Sequence, residues 1–242
     1  MSDAPRPNDP AIRYELDGNV AVVHFDDGKA NVLTHATIAA LQDALSSAER
    51  DGARAVVIIG RPGRFSAGFD LSVMTAGPDQ ARDLLRAGAE LARRVYLFPV
   101  PVVLGATGHA LAMGAILLMA ADVRVGADGP FKIGLPEVEI GMPLPRFAVE
   151  LARDRLSTRY FVPATQHAVV TPPAGAVDVG FLDQVVAPDD VESTALAIGH
   201  DLADRLHAGP FLLTRENCRG EVARTIDAAL DADMAAFTVE PT

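Results

Sequence analysis

The chain is short of cysteine, of positive charge and of long hydrophobic runs. Its 242 residues include one cysteine, Cys218, which excludes a disulfide within the chain and a metal cluster built on cysteine. We expect Cys218 to be an inert helix residue. His109 is expected to serve packing, and the other five histidines share no ligand spacing. The sequence therefore predicts no metal site.

Lysine and arginine number 21 against 32 aspartates and glutamates, a net charge of −11 at pH 7. That balance argues against a nucleic-acid partner or an anionic membrane. The apolar stretch at residues 111–121 is shorter than the roughly 18 residues of a membrane span and ends in Asp122. Residues 1–10 are polar and proline-rich, without the apolar core of a signal peptide. We expect a short disordered tail there and a cytoplasmic protein.

Two segments combine an apolar run with a turn of small residues. Residues 55–59 are apolar and β-branched, which predicts a buried strand, and a small-residue turn follows at 64–71, Arg-Phe-Ser-Ala-Gly-Phe-Asp-Leu. Residues 102–104 predict a second strand, and residues 113–121 are apolar all round, which predicts a buried helix. Two such turns can each offer a free backbone N–H to an oxyanion. Close packing of strands and helices explains the small residues equally well.

The remaining pattern predicts an α/β protein. Residues 14–23 read as a β-hairpin on the turn Asp17-Gly18, and apolar residues from Ile38 to Ala48 recur at helical spacing. A second helix is expected at about 79–97, and strands alternate with helices as far as Gly126, which favours crossover connections. Helices are expected at 191–206 and 212–237. We therefore predict a tail at 1–10, a core at 11–186 and a C-terminal helical region at 187–242.

Four motifs in this chain resemble those of the crotonase superfamily, the enoyl-CoA hydratases and isomerases. The family pattern F-[SA]-A-G-x-D-[LI] matches residues 65–71, and its G-x-A-x-G-G-G pattern matches residues 108–122, with Ala112 and Met113 in place of two glycines. The pattern F-x-x-[PN]-E-x-x-[LI]-G matches 131–141, and A-x-x-x-G-[LF]-[VL]-D-x-V-V matches 176–186. The resemblance runs from about residue 11 to about residue 237.

The resemblance implies a spiral of ββα turns with a C-terminal helical region, assembled as a homotrimer or a dimer of trimers. It implies a coenzyme A thioester as substrate, with no separate cofactor. The two oxyanion-hole amides fall on the backbone N–H groups of Ala67 and Met113. The implied substrate-binding positions are Lys29, Ala30, Ala67, Gly68, Phe69, Asp70, Leu71 and Met113. The segment at Lys29 reads equally well as a polar turn, and Asp70 as a helix cap.

A single glutamate decides which reaction the resemblance implies. Family hydratases use two glutamates, of which the first falls on Ile116 and the second on Glu137. Isomerases of the mitochondrial Δ3-Δ2 type keep only the later one, so we predict that Glu137 moves a proton from C2 to C4 of an enoyl-CoA. Apolar neighbours, Ile116 among them, should raise its pKa. A hydratase using Glu137 alone and a non-catalytic acyl-CoA-binding protein remain alternatives, and Glu139 is the only nearby candidate for a second carboxylate.

Overall fold

The computed structural model describes residues 10–237, so nearly all of the predicted N-terminal tail lies outside the described residues. A six-stranded sheet, in the order β1-β2-β4-β7-β9-β11, is the centre of the fold. Its first two strands are antiparallel and form the predicted hairpin, whereas all the following pairs are parallel. The strands are β1 (Ile12–Asp17), β2 (Val20–Phe25), β4 (Ala55–Gly60), β7 (Val102–Ala106), β9 (Val123–Ala127) and β11 (Gln184–Val186).

Two smaller parallel sheets stand beside the large one. One has the order β10-β8-β5 and the other pairs β3 with β6. Their strands are β3 (Val32–Leu33), β5 (Gly63–Ser66), β6 (Gly68–Phe69), β8 (Gly108–Leu111) and β10 (Ile133–Gly134).

Nine helices complete the described part of the chain, together with 3₁₀ turns at Glu137–Ile140 and Pro188–Asp190. The helices are α1 (His35–Arg50), α2 (Leu71–Met74), α3 (Pro78–Tyr96), α4 (Met113–Ala120), α5 (Arg146–Arg155), α6 (Thr158–Thr165), α7 (Pro173–Val179), α8 (Val191–Arg205) and α9 (Ala208–Ala236). Within the described residues, none of them is both long enough and apolar enough to cross a membrane.

The order of elements confirms the predicted spiral of ββα turns. The chain passes four times from a strand of the large sheet through small-sheet strands to a helix, as β2-β3-α1, β4-β5-β6-α2-α3, β7-β8-α4 and β9-β10-α5. In each turn, the first small-sheet strand therefore follows the carboxyl end of a large-sheet strand. Because these ends meet at one edge of a parallel sheet, the turns that follow them are brought together.

Hydrophobic cores lie on both faces of the large sheet. Strands β4 and β7 are buried along their whole length, which explains their unbroken apolar sequence. Residues such as Ala21 and Val23 join the larger core with α1, α3, α4 and α5, whereas Val20 and Val22 face the smaller core under α8. Helix α8 therefore belongs to the layered core and is not set apart from it.

Helix α9 is held to the core by ion pairs with buried partners. The carboxylate of Asp122, at the start of β9, pairs with Arg215 and, at 2.9 Å, with Arg219. The Arg215 side chain is 3% exposed and also donates to the Phe98 carbonyl oxygen. Asp122 additionally accepts from the Val102 N–H at 2.7 Å, so it joins α9 to the edge of β7.

We expect Asp122→Ala to lower the free energy of unfolding by about 3 kcal/mol, because it leaves the Arg215 guanidinium buried without its partner. Asp201→Ala is the matched control, since its pair with Arg205 is more than half exposed on both sides and its loss should cost under about 0.5 kcal/mol. Denaturant unfolding of both variants measures the difference. Equal losses would show that the buried pair does not hold α9.

Candidate active site

An apolar cavity of about 120 Å³ opens where the small-sheet strands meet α4. Its walls come from three turns of the spiral and from the end of α9. They include Ala67, Phe69, Ile116, Glu137 and Phe237. Among the described residues that line the cavity, Glu137 is the only titratable one, and all the others are apolar. The cavity therefore combines one acid with walls that offer no other polar side chain.

The first small-residue turn forms one side of this cavity. The Ala67 N–H donates to the Ala30 carbonyl oxygen at 3.1 Å, so it is already engaged, and the prediction of Ala67 as an oxyanion donor is corrected. The Asp70 N–H donates to the Leu33 carbonyl oxygen at 3.1 Å. Because the N–H groups of a parallel strand alternate in direction, the N–H of Phe69 points away from β3. The donor that this turn leaves without a ladder partner is Phe69.

The second turn brings the start of α4 to the same place. Met113 is the first residue of α4, and the first N–H groups of a helix have no acceptor within the helix. Its φ is not positive, so a methionine fits where the family pattern has glycine. Ala112, which precedes it, has φ 50° and ψ −124°, a backbone conformation that glycine adopts more readily. This backbone conformation explains why the family pattern has glycine at the position of Ala112.

Glycines let the two turns touch. A Cβ on Gly68 would lie 2.8 Å from the Ala112 Cβ and 3.3 Å from the Met113 nitrogen. A Cβ on Gly114 would lie 2.6 Å from the Ser66 carbonyl oxygen. Both distances below 3.0 Å are too short for real side-chain contacts, so each glycine permits a close approach of backbone. The backbone of β6 and the first N–H of α4 are therefore neighbours at the cavity.

Glu137 begins the 3₁₀ turn Glu137–Ile140, which starts three residues after the end of β10. Gly141 ends the turn with φ 78°, and the Met142 N–H donates back to the Glu137 carbonyl oxygen at 2.9 Å. The turn thereby directs the Glu137 side chain inward, where the residue is 8% exposed. Its Oε2 atom is buried and has no hydrogen-bond partner in the part of the chain that the structure describes. A buried carboxylate oxygen without a partner is rare and points to a group that acts on a ligand.

Burial raises the pKa of Glu137 to about 7, from 4.5 for an ordinary glutamate. The direction agrees with the sequence expectation. Ile116, 2% exposed and one helical turn after Met113, lines the same cavity where family hydratases carry their first glutamate. Glu139 lies on the exposed side of the 3₁₀ turn and does not line the cavity. Among residues 10–237, Glu137 is therefore the only carboxylate that lines the cavity.

The other predicted binding residues have different surroundings. Asp70 is the N-cap of α2, and its Oδ1 accepts from the Ser72 N–H at 2.9 Å and from the Ser72 hydroxyl at 2.6 Å. These bonds lower the pKa of Asp70, and they fit the capping alternative. Leu71 is 58% exposed at the cavity rim. Lys29 and Ala30 do not line the cavity. The Ala30 carbonyl oxygen is connected to the cavity wall because it accepts a hydrogen bond from the N–H of Ala67, which does line the cavity.

Two features of the site were not foreseen from the sequence. Asn31 is fully buried with φ 51°, and its side chain donates to the Phe25 and Phe65 carbonyl oxygens at 2.6 and 3.2 Å, so it joins the loop at Lys29 to the first turn. The sequence signal for this conformation is the asparagine itself, because asparagine tolerates a positive φ better than most residues do. Phe237 comes from the far end of the chain to close the cavity, and no local signal indicates that.

Comparison with known proteins identifies the family to which this chain belongs. The family model described as enoyl-CoA hydratase/isomerase matches residues 15–239. The human mitochondrial enoyl-CoA delta isomerase 1 is 33% identical over 231 residues, which are 93% of this chain and 76% of that protein. The solved enoyl-CoA isomerase of Mycobacterium tuberculosis is 37% identical, with a TM-score of 0.89 over 94% of this chain and 99% of the other. An enoyl-CoA hydratase of Mycobacterium marinum is 37% identical, with a TM-score of 0.90 over 95% and 100% of the two chains.

These findings establish first a crotonase-type fold with a buried acid beside two converging backbone turns. The chain belongs to the enoyl-CoA hydratase/isomerase family of the crotonase superfamily. Relatives at similar identity carry the names of both reactions. The family is thus established, and the choice between the two reactions rests on the site itself.

The raised pKa of Glu137 predicts a pH-dependent cost in stability. Below pH 4.5 the carboxyl group is protonated in the folded and the unfolded chain alike. As the pH rises from 4.5 to 7 the unfolded chain ionises first, so folding loses about 3 kcal/mol, and the loss is complete above pH 7. We expect Glu137→Gln to equal the wild type near pH 4 and to exceed it by about 3 kcal/mol at pH 8.

Chemical denaturation at several pH values measures this difference. Glu139→Gln is the matched control, because it makes the same change at an exposed carboxylate of the same turn, so the gain of about 3 kcal/mol at pH 8 should be confined to Glu137→Gln. A constant difference for Glu137→Gln would mean that Glu137 is solvated in the folded protein.

Proposed function

We propose that this protein moves the double bond of a 3-enoyl-CoA to the 2-position by proton transfer through Glu137. The observation that carries the proposal is the buried Oε2 atom of Glu137, which has no partner among residues 10–237 and lies in a cavity whose other described walls are apolar. The ionised carboxylate removes a proton from C2, and the electron pair passes into the thioester carbonyl to give a dienolate. The same carboxyl group then returns the proton to C4, and the double bond comes to rest between C2 and C3.

The dienolate oxygen requires hydrogen-bond donors, and two backbone N–H groups are proposed for that role. Met113 offers the first N–H of α4, to which the helix dipole adds positive potential. Phe69 is proposed as the second donor in place of Ala67, because its N–H points away from β3 while the Ala67 N–H is engaged by Ala30. One such donor contributes about 2.7–4 kcal/mol to the transition state of related acyl chemistry.

Isomerisation fits this site better than hydration for two physical reasons. Hydration requires a water molecule held in position, usually between two carboxylates. Glu137 would be one of them, and Ile116 occupies the position of the other. A proton shuttle requires only one base with a pKa near the working pH, which burial supplies for Glu137. The proposed reaction consumes no cofactor, and the coenzyme A thioester is the substrate itself.

Assembly is proposed to follow the resemblance, as a homotrimer or a dimer of trimers. Leu212 and Leu213 on α9 are 45% and 61% exposed, and such neighbouring apolar side chains favour a covered face. The Lys29 loop is proposed to receive the coenzyme A moiety. Its backbone is held by the Asp27 carboxylate, which accepts from the N–H groups of Lys29 and Asn31 at 2.7 and 2.9 Å.

The first test replaces Glu137 by glutamine and follows conversion of 3-hexenoyl-CoA to 2-hexenoyl-CoA. We expect turnover to fall about 100-fold or more, while acyl-CoA affinity stays within a few-fold, because the amide keeps the shape of the side chain and cannot carry the proton. In the wild type, kcat/KM should rise with pH through about 7 as the carboxylate ionises. Unchanged turnover in Glu137→Gln would remove this residue from the mechanism.

The second test introduces a carboxylate at Ile116. Ile116→Glu should raise the rate of water addition to 2-butenoyl-CoA relative to double-bond transfer, because two acids then face the cavity. Ile116→Gln is the matched control for the loss of the apolar side chain without the added charge. Burial of the new acid costs stability, so both variants need a cooperative unfolding transition. A folded Ile116→Glu with the wild-type product ratio would show that the missing glutamate does not select the reaction.

A further inference from the structure

We infer that the acyl cavity selects short, unsubstituted acyl chains of about four to six carbons, and that the contact between Phe69 and Gly88 determines its depth. This inference rests on the proposed function, because it names the substrate class of the same site. It follows from the volume of the cavity, from the apolar side chains of its walls and from the packing of the Phe69 ring against α3.

The volume gives the upper limit on chain length. The cavity measures about 120 Å³. An engineered protein cavity of about 150 Å³ accommodates benzene, a ligand of six carbons. With the thioester carbonyl held outside by the two N–H groups, the space beyond it therefore takes about three to five further carbons. Longer chains require the walls to move.

The chemistry of the walls excludes polar acyl groups. Apart from Glu137, every described side chain that lines the cavity is apolar. A hydroxyl group on the acyl chain would lose its hydrogen bonds to water and gain no partner there. A terminal carboxylate would in addition meet the charge of Glu137. The walls thus favour a plain hydrocarbon chain.

The wall of the cavity next to α3 depends on a glycine. A Cβ on Gly88 of α3 would lie 2.3 Å from Cζ and 2.5 Å from Cε1 of Phe69, so the ring is seated directly against the backbone of the helix. Leu85, three residues earlier on the same helical face, lines the cavity and is 3% exposed. Met74 of α2 completes this wall and is equally buried. The backbone of α3 fixes the position of the ring, and the ring limits the depth of the cavity.

Two substitutions on α3 change the cavity in opposite directions. Gly88→Ala has to displace the Phe69 ring, which narrows the space, whereas Leu85→Ala removes part of the wall and deepens it. One methylene group in an apolar pocket changes kcat/KM by about 10- to 200-fold. Leu84→Ala is the matched control, because Leu84 is the neighbouring residue, is fully buried and does not line the cavity.

The experiment measures kcat/KM for 3-enoyl-CoA substrates of 4, 6, 8, 10 and 12 carbons with the whole chain. For the wild type we expect the maximum at six carbons or fewer and a fall of about tenfold or more by ten carbons. Leu85→Ala should raise the ratio of the eight-carbon to the four-carbon value about tenfold, Gly88→Ala should lower the ratio of the six-carbon to the four-carbon value, and Leu84→Ala should leave both ratios unchanged. A wild-type maximum at ten carbons or more overturns the inference whatever the variants do.

Calorimetric binding of saturated acyl-CoAs separates this inference from the proposed function. Tightest binding at four to six carbons, with 4-carboxybutanoyl-CoA bound at least about tenfold more weakly than pentanoyl-CoA, supports the inference even if no double bond is moved. Binding that tightens steadily up to twelve carbons overturns it even if 3-enoyl-CoAs are converted. Equal binding of the carboxylated and plain chains overturns the claim of an apolar selection.

Discussion

The burial of one carboxylate among apolar walls is the constraint on which the rest of the site depends. The proposed role of Glu137 as a base near neutral pH depends on burial, which raises its pKa to about 7 and leaves its Oε2 atom without a hydrogen-bond partner among the described residues. Each wall that keeps water away therefore contributes to the chemistry. The destabilisation that follows above pH 7 has to be offset by packing elsewhere in the fold.

Much of that packing reaches the site from a distance. Helix α9 places Phe237 on the cavity, and its register is set by Arg215 and Arg219 on Asp122, at the opposite end of the helix. Near the cavity, the Asp233 carboxylate accepts from the Phe147 N–H at 3.2 Å, at the start of α5, where Pro145 offers no side-chain cap. Asp233 thus joins α9 to the segment that follows the Glu137 turn. The ion pairs act on the site by holding one wall of it in place.

The sequence predicts those parts of the site that local chemistry determines. The buried strands, the apolar helix at Met113, the hairpin at Gly18 and the raised pKa of Glu137 all follow from residue type and spacing. The choice between Ala67 and Phe69 as donor does not, because it depends on which N–H groups the neighbouring strand β3 engages, and that is a matter of register between segments more than thirty residues apart. The cavity wall at Phe237 also depends on long-range packing.

The structural position of each residue that departs from the family pattern explains why the departure is tolerated. Ala112 has a positive φ in a sparsely populated backbone region, which costs on the order of 1–3 kcal/mol for a residue with a Cβ, whereas Met113 lies in helical backbone without that cost. Gly114 and Gly68, where backbone approaches backbone, are retained. The substitutions thus spare the positions at which a side chain would separate the two turns. Ile116 differs in kind, because it changes the chemistry of the cavity while leaving the path of the backbone intact.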